Sequence, residues 1–121
     1  MDYITSNKVD KTEIEKSKIF NIENEVEYVS YSVNSRTILN KPTGYIKVVS
    51  FDAGEGLSEK VSPFDTFTQV IDGKAEIVIN GESKFLETGQ SVVIPAHTPN
   101  SIKAAGRFKM IFTIIKSGYE I

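Results

Sequence analysis

The sequence contains no cysteine and a single histidine, His97. Without cysteine there is no disulfide, no thiolate metal site and no thiol nucleophile, and nothing points to an oxidising compartment. One histidine cannot supply a multi-imidazole metal sphere, and it can serve at most one serine as a base. No run approaches the length of about 18 apolar residues that spans a bilayer, and Met1 to Lys8 holds no apolar signal core. A cytoplasmic protein with no membrane partner is expected. Charge of one sign is also lacking: 14 Lys+Arg stand against 16 Asp+Glu, without a block of either. That excludes the basic stripe of a nucleic-acid binder. There is no G-x-S-x-G elbow, no Walker lysine and no G-x-G-x-x-G after a strand. Gly54-Glu55-Gly56 belongs to a loop rather than a phosphate cradle.

What remains is a chain of 121 residues, enough for one domain with a real core. Residues 1–26 read as an N-terminal arm. It has a possible short helix over Lys11 to Lys16, capped by Asp10 or Thr12, and Ile19 to Ile22 as a strand leading into one helical turn. From residue 27 to 121 the pattern changes to short β-branched and aromatic runs divided by turn residues. Tyr28 to Val33 and Arg36 to Leu39 flank Asn34-Ser35, and Tyr45 to Phe51 follows the turn at Lys41 to Gly44. Thr66 to Ile71 leads through Asp72-Gly73 into Ala75 to Ile79, which turns at Asn80-Gly81. Lys84 to Leu86, Ser91 to Ile94, Ser101 to Ala104 and Phe108 to Ile115 complete the set. Asp-Gly and Asn-Gly tolerate the positive φ that tight hairpins need. Nine or ten short strands without a helical period predict an all-β sandwich or barrel.

Alternation along Phe108 to Ile115 puts Phe108, Met110, Phe112 and Ile114 on one face and Lys109, Ile111, Thr113 and Ile115 on the other. The outer face is half apolar and calls for a cover. A homodimer is expected to supply it; the alternative is the N-terminal arm or the strands of residues 27–39.

Between Gly54 and Asn100 the spacing of Gly54, Lys60, Ser62, Thr66 and Gly73, then Gly89, Pro95, His97 and Asn100, resembles the two motifs of the cupin family. Those motifs run G-x5-H-x-H-x3,4-E-x6-G and G-x5-P-x-G-x2-H-x3-N. The resemblance covers roughly Tyr45 to Ile115 and implies a double-stranded β-helix, the cupin jelly roll. It also implies that Lys60, Ser62, Thr66 and Asn100 stand where the family has its metal-binding histidines and glutamate. An ammonium has no lone pair to donate and repels a dication, the two hydroxyls are neutral, and an amide oxygen is a weak ligand. No metal and no other cofactor is expected.

Lys60 has three readings: a surface lysine, a cation at the barrel mouth that holds a carboxylate or phosphate, and a desolvated amine capable of a Schiff base. His97 falls at the family's glycine position in a turn, where histidine tolerates left-handed backbone. Ser62, Thr66, Thr68 and Asn100 are candidate walls of a small pocket, with Met110 and Phe112 as its floor, and the same residues equally suit a filled core. The leading functional reading is a metal-free, non-catalytic cupin that binds or senses a small molecule. The alternatives are a metal-independent isomerase- or epimerase-like enzyme using Lys60 and pocket hydroxyls, and a structural or regulatory dimeric subunit.

Overall fold

A computed structural model describes residues 13–116. Nine strands form in chain order: β1 Val33–Lys41, β2 Gly44–Phe51, β3 Gly56–Lys60, β4 Thr66–Asp72, β5 Lys74–Ile79, β6 Glu82–Glu87, β7 Ser91–Ile94, β8 Asn100–Lys103 and β9 Phe108–Ile115. They make two antiparallel sheets, one in the order β1-β2-β9-β4-β7 and the other β3-β8-β5-β6. The fold is thus the all-β jelly roll of a cupin-type barrel. The hairpin between β5 and β6 turns at Asn80 and Gly81, both left-handed (φ 52° and 80°), as an Asn-Gly pair favours. Gly73 between β4 and β5 has φ 85°, and a Cβ there would run into the Arg107 carbonyl oxygen, so this turn needs glycine on two counts.

Directly opposed residues in an antiparallel pair share a face. Lys47 faces Phe112, Val49 faces Met110 and Phe51 faces Phe108 across β2 and β9, while Thr68 faces Phe112 and Val70 faces Met110 across β4 and β9. This face points into the barrel. At one end it packs solid: Phe51, Val70, Ile77, Phe108 and Met110 are fully buried. The Phe51 and Phe108 rings stack there, 4.4 Å between centroids and 12° between planes.

Several expected elements differ, and Gly56, read as loop, opens β3. Residues 33–41 form one strand rather than two flanking Asn34-Ser35, because β1 pairs with β2 along nearly its whole length, with a bulge between Thr37 and Leu39. Tyr28 to Ser32 is irregular instead of a strand. Tyr31 is left-handed (φ 59°), and its N–H donates to Asp52 Oδ2 at 2.7 Å. No strand forms at Ile19 to Ile22; a single 3-10 turn spans Ile22–Asn24. Of the short helix expected over Lys11 to Lys16, residues 13–16 are non-helical, and the rest lies outside the described residues.

The segment before β1 lies along the outer face of the larger sheet. Ser50 Oγ donates to the Glu27 carbonyl at 2.7 Å, and Lys109 Nζ donates to the Glu23 carbonyl at 2.5 Å. Val26 is buried, as are the outward-facing Val48 and Ser50. The Tyr28 hydroxyl donates to Asp72 Oδ2 at 2.6 Å, with Arg107 and Lys109 lying against its ring at 5.4 and 4.9 Å. Glu13 anchors the start of this segment: it is buried, accepts from the Asn40 N–H at 2.6 Å and pairs with Lys16 and Lys41. The chain's own N-terminal segment therefore covers part of the apolar outer face. Phe67, Val93 and Ile115, on β4, β7 and β9, remain exposed.

Candidate ligand-binding site

The end of the barrel opposite the stacked phenylalanines is not filled. A cavity of about 400 Å³ opens there, within the size range of small-molecule sites. Its wall includes Lys60, Ser62, Thr66, Asn100 and Phe112, so five of the seven residues singled out from the sequence meet around one space. The other two do not line it. Thr68 is fully buried and donates its hydroxyl to the Val92 carbonyl at 2.8 Å, a satisfied core threonine. Met110 is fully buried in the solid half of the barrel.

The strand pairings explain the division. On β9 and β4 the inward positions run from Phe108, Met110 and Val70 at the packed end to Phe112, Ile114 and Thr66 at the open end. β3 and β8 meet at the mouth, where Lys60 is paired with Asn100. The Asn100 amide Nδ2 donates to the carbonyls of Lys60 (3.3 Å) and Thr98 (3.0 Å). Both bonds need an N–H donor, which fixes the amide's orientation. Its Oδ1 is buried and has no hydrogen-bond partner among the described residues.

Ser62 is partly committed: its Oγ accepts from the Phe64 N–H at 3.1 Å, and its carbonyl accepts from the His97 N–H at 2.6 Å. His97 itself is exposed and left-handed (φ 61°) and is not part of the cavity wall. That is the turn role its position suggested.

The Lys60 ammonium lies 5.9 Å from the centre of the Phe112 ring. Lys60 as a residue is exposed, yet partial desolvation of its amine draws the pKa below the ordinary lysine value. Neither Lys60 nor Lys47 has a carboxylate partner among the described residues.

Sequence reasoning missed Lys47 and Tyr45. Both line the cavity from β2, with the Lys47 ammonium 4.9 Å from the Tyr45 ring centre. Burial raises the Tyr45 pKa. The signal was present: Tyr45, Lys47, Val49 and Phe51 alternate onto one face, and Phe51 is core. The apolar residues on both faces of this strand hid that parity.

Through Lys60, Ser62, Thr66 and Asn100 the cavity offers an ammonium, two hydroxyls and an amide. Among the described residues no group of three His, Asp or Glu side chains is placed to hold a metal ion. This donor set does not fit a transition metal.

The Cupin domain family model matches residues 47–115. Among solved structures, a conserved protein of unknown function from Streptococcus pyogenes is 31% identical, with a TM-score of 0.81 over 85% of this chain and 90% of that one. A cupin 2 conserved barrel domain protein from Leptotrichia buccalis is 30% identical, with a TM-score of 0.77 over 80% of this chain. The match spans only 47% of the Leptotrichia protein. A cupin superfamily protein from Desulfitobacterium hafniense shares the fold at 24% identity, with a TM-score of 0.79 over 84% of this chain and 94% of that one. No curated protein matches the chain. No helix among the described residues is long and apolar enough to cross a membrane.

Proposed function

We infer a function from one premise, that the chain belongs to the cupin domain family: it is a metal-free cupin that binds or senses a small molecule in its barrel, without catalysing a reaction. One observation carries this reading. The half-open barrel keeps a cavity of about 400 Å³ while the four family ligand positions on its wall hold Lys60, Ser62, Thr66 and Asn100. A filled interior would have argued for a purely structural barrel, and imidazoles would have argued for a metalloenzyme. Here the wall is mixed, apolar through Val49, Leu57, Ile94 and Ile114 and polar at a few points, as ligand sites are.

The test combines elemental analysis and native mass spectrometry of protein purified without chelators. The expected result is no stoichiometric transition metal. A tightly held metal at one per chain would sink the proposal.

A metal-independent enzyme is the second reading, and it rests on the lowered pKa of Lys60, which favours a neutral amine. Borohydride trapping with carbonyl compounds, followed by intact-mass measurement, separates the two. A covalent adduct lost in Lys60→Met would favour the enzyme.

We also propose that the protein is a cytoplasmic homodimer. Phe67 faces Val93 across β4 and β7, and their exposed side chains sit on the outer face with Ile115. Light scattering on Phe67→Lys, compared with the unmodified chain, tests this.

A further inference from the structure

The cavity's polar groups are not a random selection, and they restrict what it can hold. Two ammonium groups enter the wall, Lys47 from β2 and Lys60 from β3. Phe112 lies between them in the fold: it is the cross-strand partner of Lys47, and its ring lies beneath the Lys60 ammonium. Among the described residues no aspartate or glutamate lines the cavity, and none forms a salt bridge with either lysine. Two ammonium groups beside an apolar ring offer an anion charge-assisted hydrogen bonds and its carbon skeleton an apolar contact. The third group is of the opposite kind. Asn100 is 3% exposed, and both its N–H bonds are used while its Oδ1 remains a buried acceptor without a donor among the described residues. An unmet buried acceptor is destabilising, and a ligand N–H or O–H relieves it.

Resting on the reading of the cavity as a ligand site, we propose that it receives a small organic oxyanion that also carries a hydroxyl or amine donor. Lys47 and Lys60 take the oxyanion, Asn100 Oδ1 accepts from the donor, and Phe112 packs against the ligand's carbon skeleton. A carboxylate and a phosphate monoester share this chemistry. A divalent cation is excluded by the two lysines, and a neutral ligand leaves both of them unpaired.

The experiment is a heteronuclear NMR titration of the full chain at constant ionic strength, following the amide resonances of Lys60, Asn100 and Phe112. Four probes share a three-carbon skeleton: glycerate, glycerol 3-phosphate, glycerol and propionate. Glycerate or glycerol 3-phosphate is expected to shift these resonances saturably, and the tighter of the two identifies the oxyanion. Glycerol is expected to shift them at least ten-fold less readily. Propionate, which lacks the donor, should bind at least ten-fold more weakly than glycerate. Lys47→Met and Lys60→Met should each weaken oxyanion binding at least ten-fold with a dispersed native spectrum retained. Lys74→Met, on an exposed lysine paired with Glu87, should leave it unchanged.

Binding of glycerol as tight as that of the oxyanions would overturn the proposal and leave the ligand-site reading standing. Oxyanion binding that survives both methionine substitutions would also overturn it. Cavity resonances that respond to none of the probes at tens of millimolar would overturn both.

Discussion

Asn100 Nδ2 donates to the backbone carbonyl of Lys60 at 3.3 Å, so two residues of the cavity wall are bonded to each other. The same two are cross-strand partners of β3 and β8. The resemblance to the cupin motifs places both at metal-ligand positions, and all four such positions, Lys60, Ser62, Thr66 and Asn100, line one cavity. Placing the motifs' ligands there should build the site. The variant Lys60→His, Ser62→His, Thr66→Glu, Asn100→His is expected to bind Ni2+ and to gain thermal stability when metal is added, as mass action requires. The unmodified chain should show neither effect by calorimetry or thermal melts.

Lys60 bears on stability as well as on binding. Its pKa is lowered by burial, so the charged form is disfavoured in the folded state. Between the lowered folded value and the ordinary unfolded one, the unfolded chain binds more protons, and stability rises with pH across that window. Lys60→Met should therefore raise Tm slightly at neutral pH. The difference between variant and parent should shrink as pH rises through the Lys60 pKa. Melting curves at neutral and strongly alkaline pH check this, and a variant less stable than its parent at pH 7 would contradict it.

The Phe51–Phe108 stack is the centre of the packed end, with both rings fully buried. Phe108→Ala should cost about 3–5 kcal/mol, through lost burial and the cavity left behind. Urea denaturation should show a lower midpoint with little change in slope. The open end of the barrel should be unaffected in any variant that still folds.

Asp52 ties two connections together. Its Oδ1 accepts from Arg107 Nε and its Oδ2 from the Tyr31 N–H, both at 2.7 Å. Arg107 first, then the Tyr31 N–H, holds the carboxyl below its ordinary range. A depressed carboxyl pKa adds stability that is present above the unfolded value and is lost as pH falls through the folded one. Arg107→Gln should reduce stability at neutral pH and flatten its fall in acid. Denaturant midpoints measured from neutral to strongly acid pH would show the two curves converging at the acid end.

Much of the barrel was legible along the chain because its signals are local. Asn80-Gly81 specifies a left-handed hairpin by backbone sterics alone, and Ser91 to Ile94 and Phe108 to Ile115 are runs whose composition suits only a strand. β1 and β3 were hard for the opposite reason. Asn34-Ser35 has the character of a turn, yet pairing with β2 carries an extended backbone straight through it. Gly56-Leu57-Ser58-Glu59-Lys60 has little β character and is held extended by β8. Strand formation there comes from the partner, not from the segment.

By itself the sequence determined the barrel's frame and the weak metal-donor chemistry of Lys60, Ser62, Thr66 and Asn100, since lone pairs and charge belong to each residue wherever it lies. Only the tertiary structure decided which inward positions face a cavity and which face the core. Thr68 and Met110 share a face with Thr66 and Phe112 but lie deeper, where the two sheets close on one another. Lys47 joins Lys60 at the open end because β2 runs beside β9, a pairing between segments far apart in the chain. Depth in a barrel is set by how whole sheets close, and no local pattern encodes it.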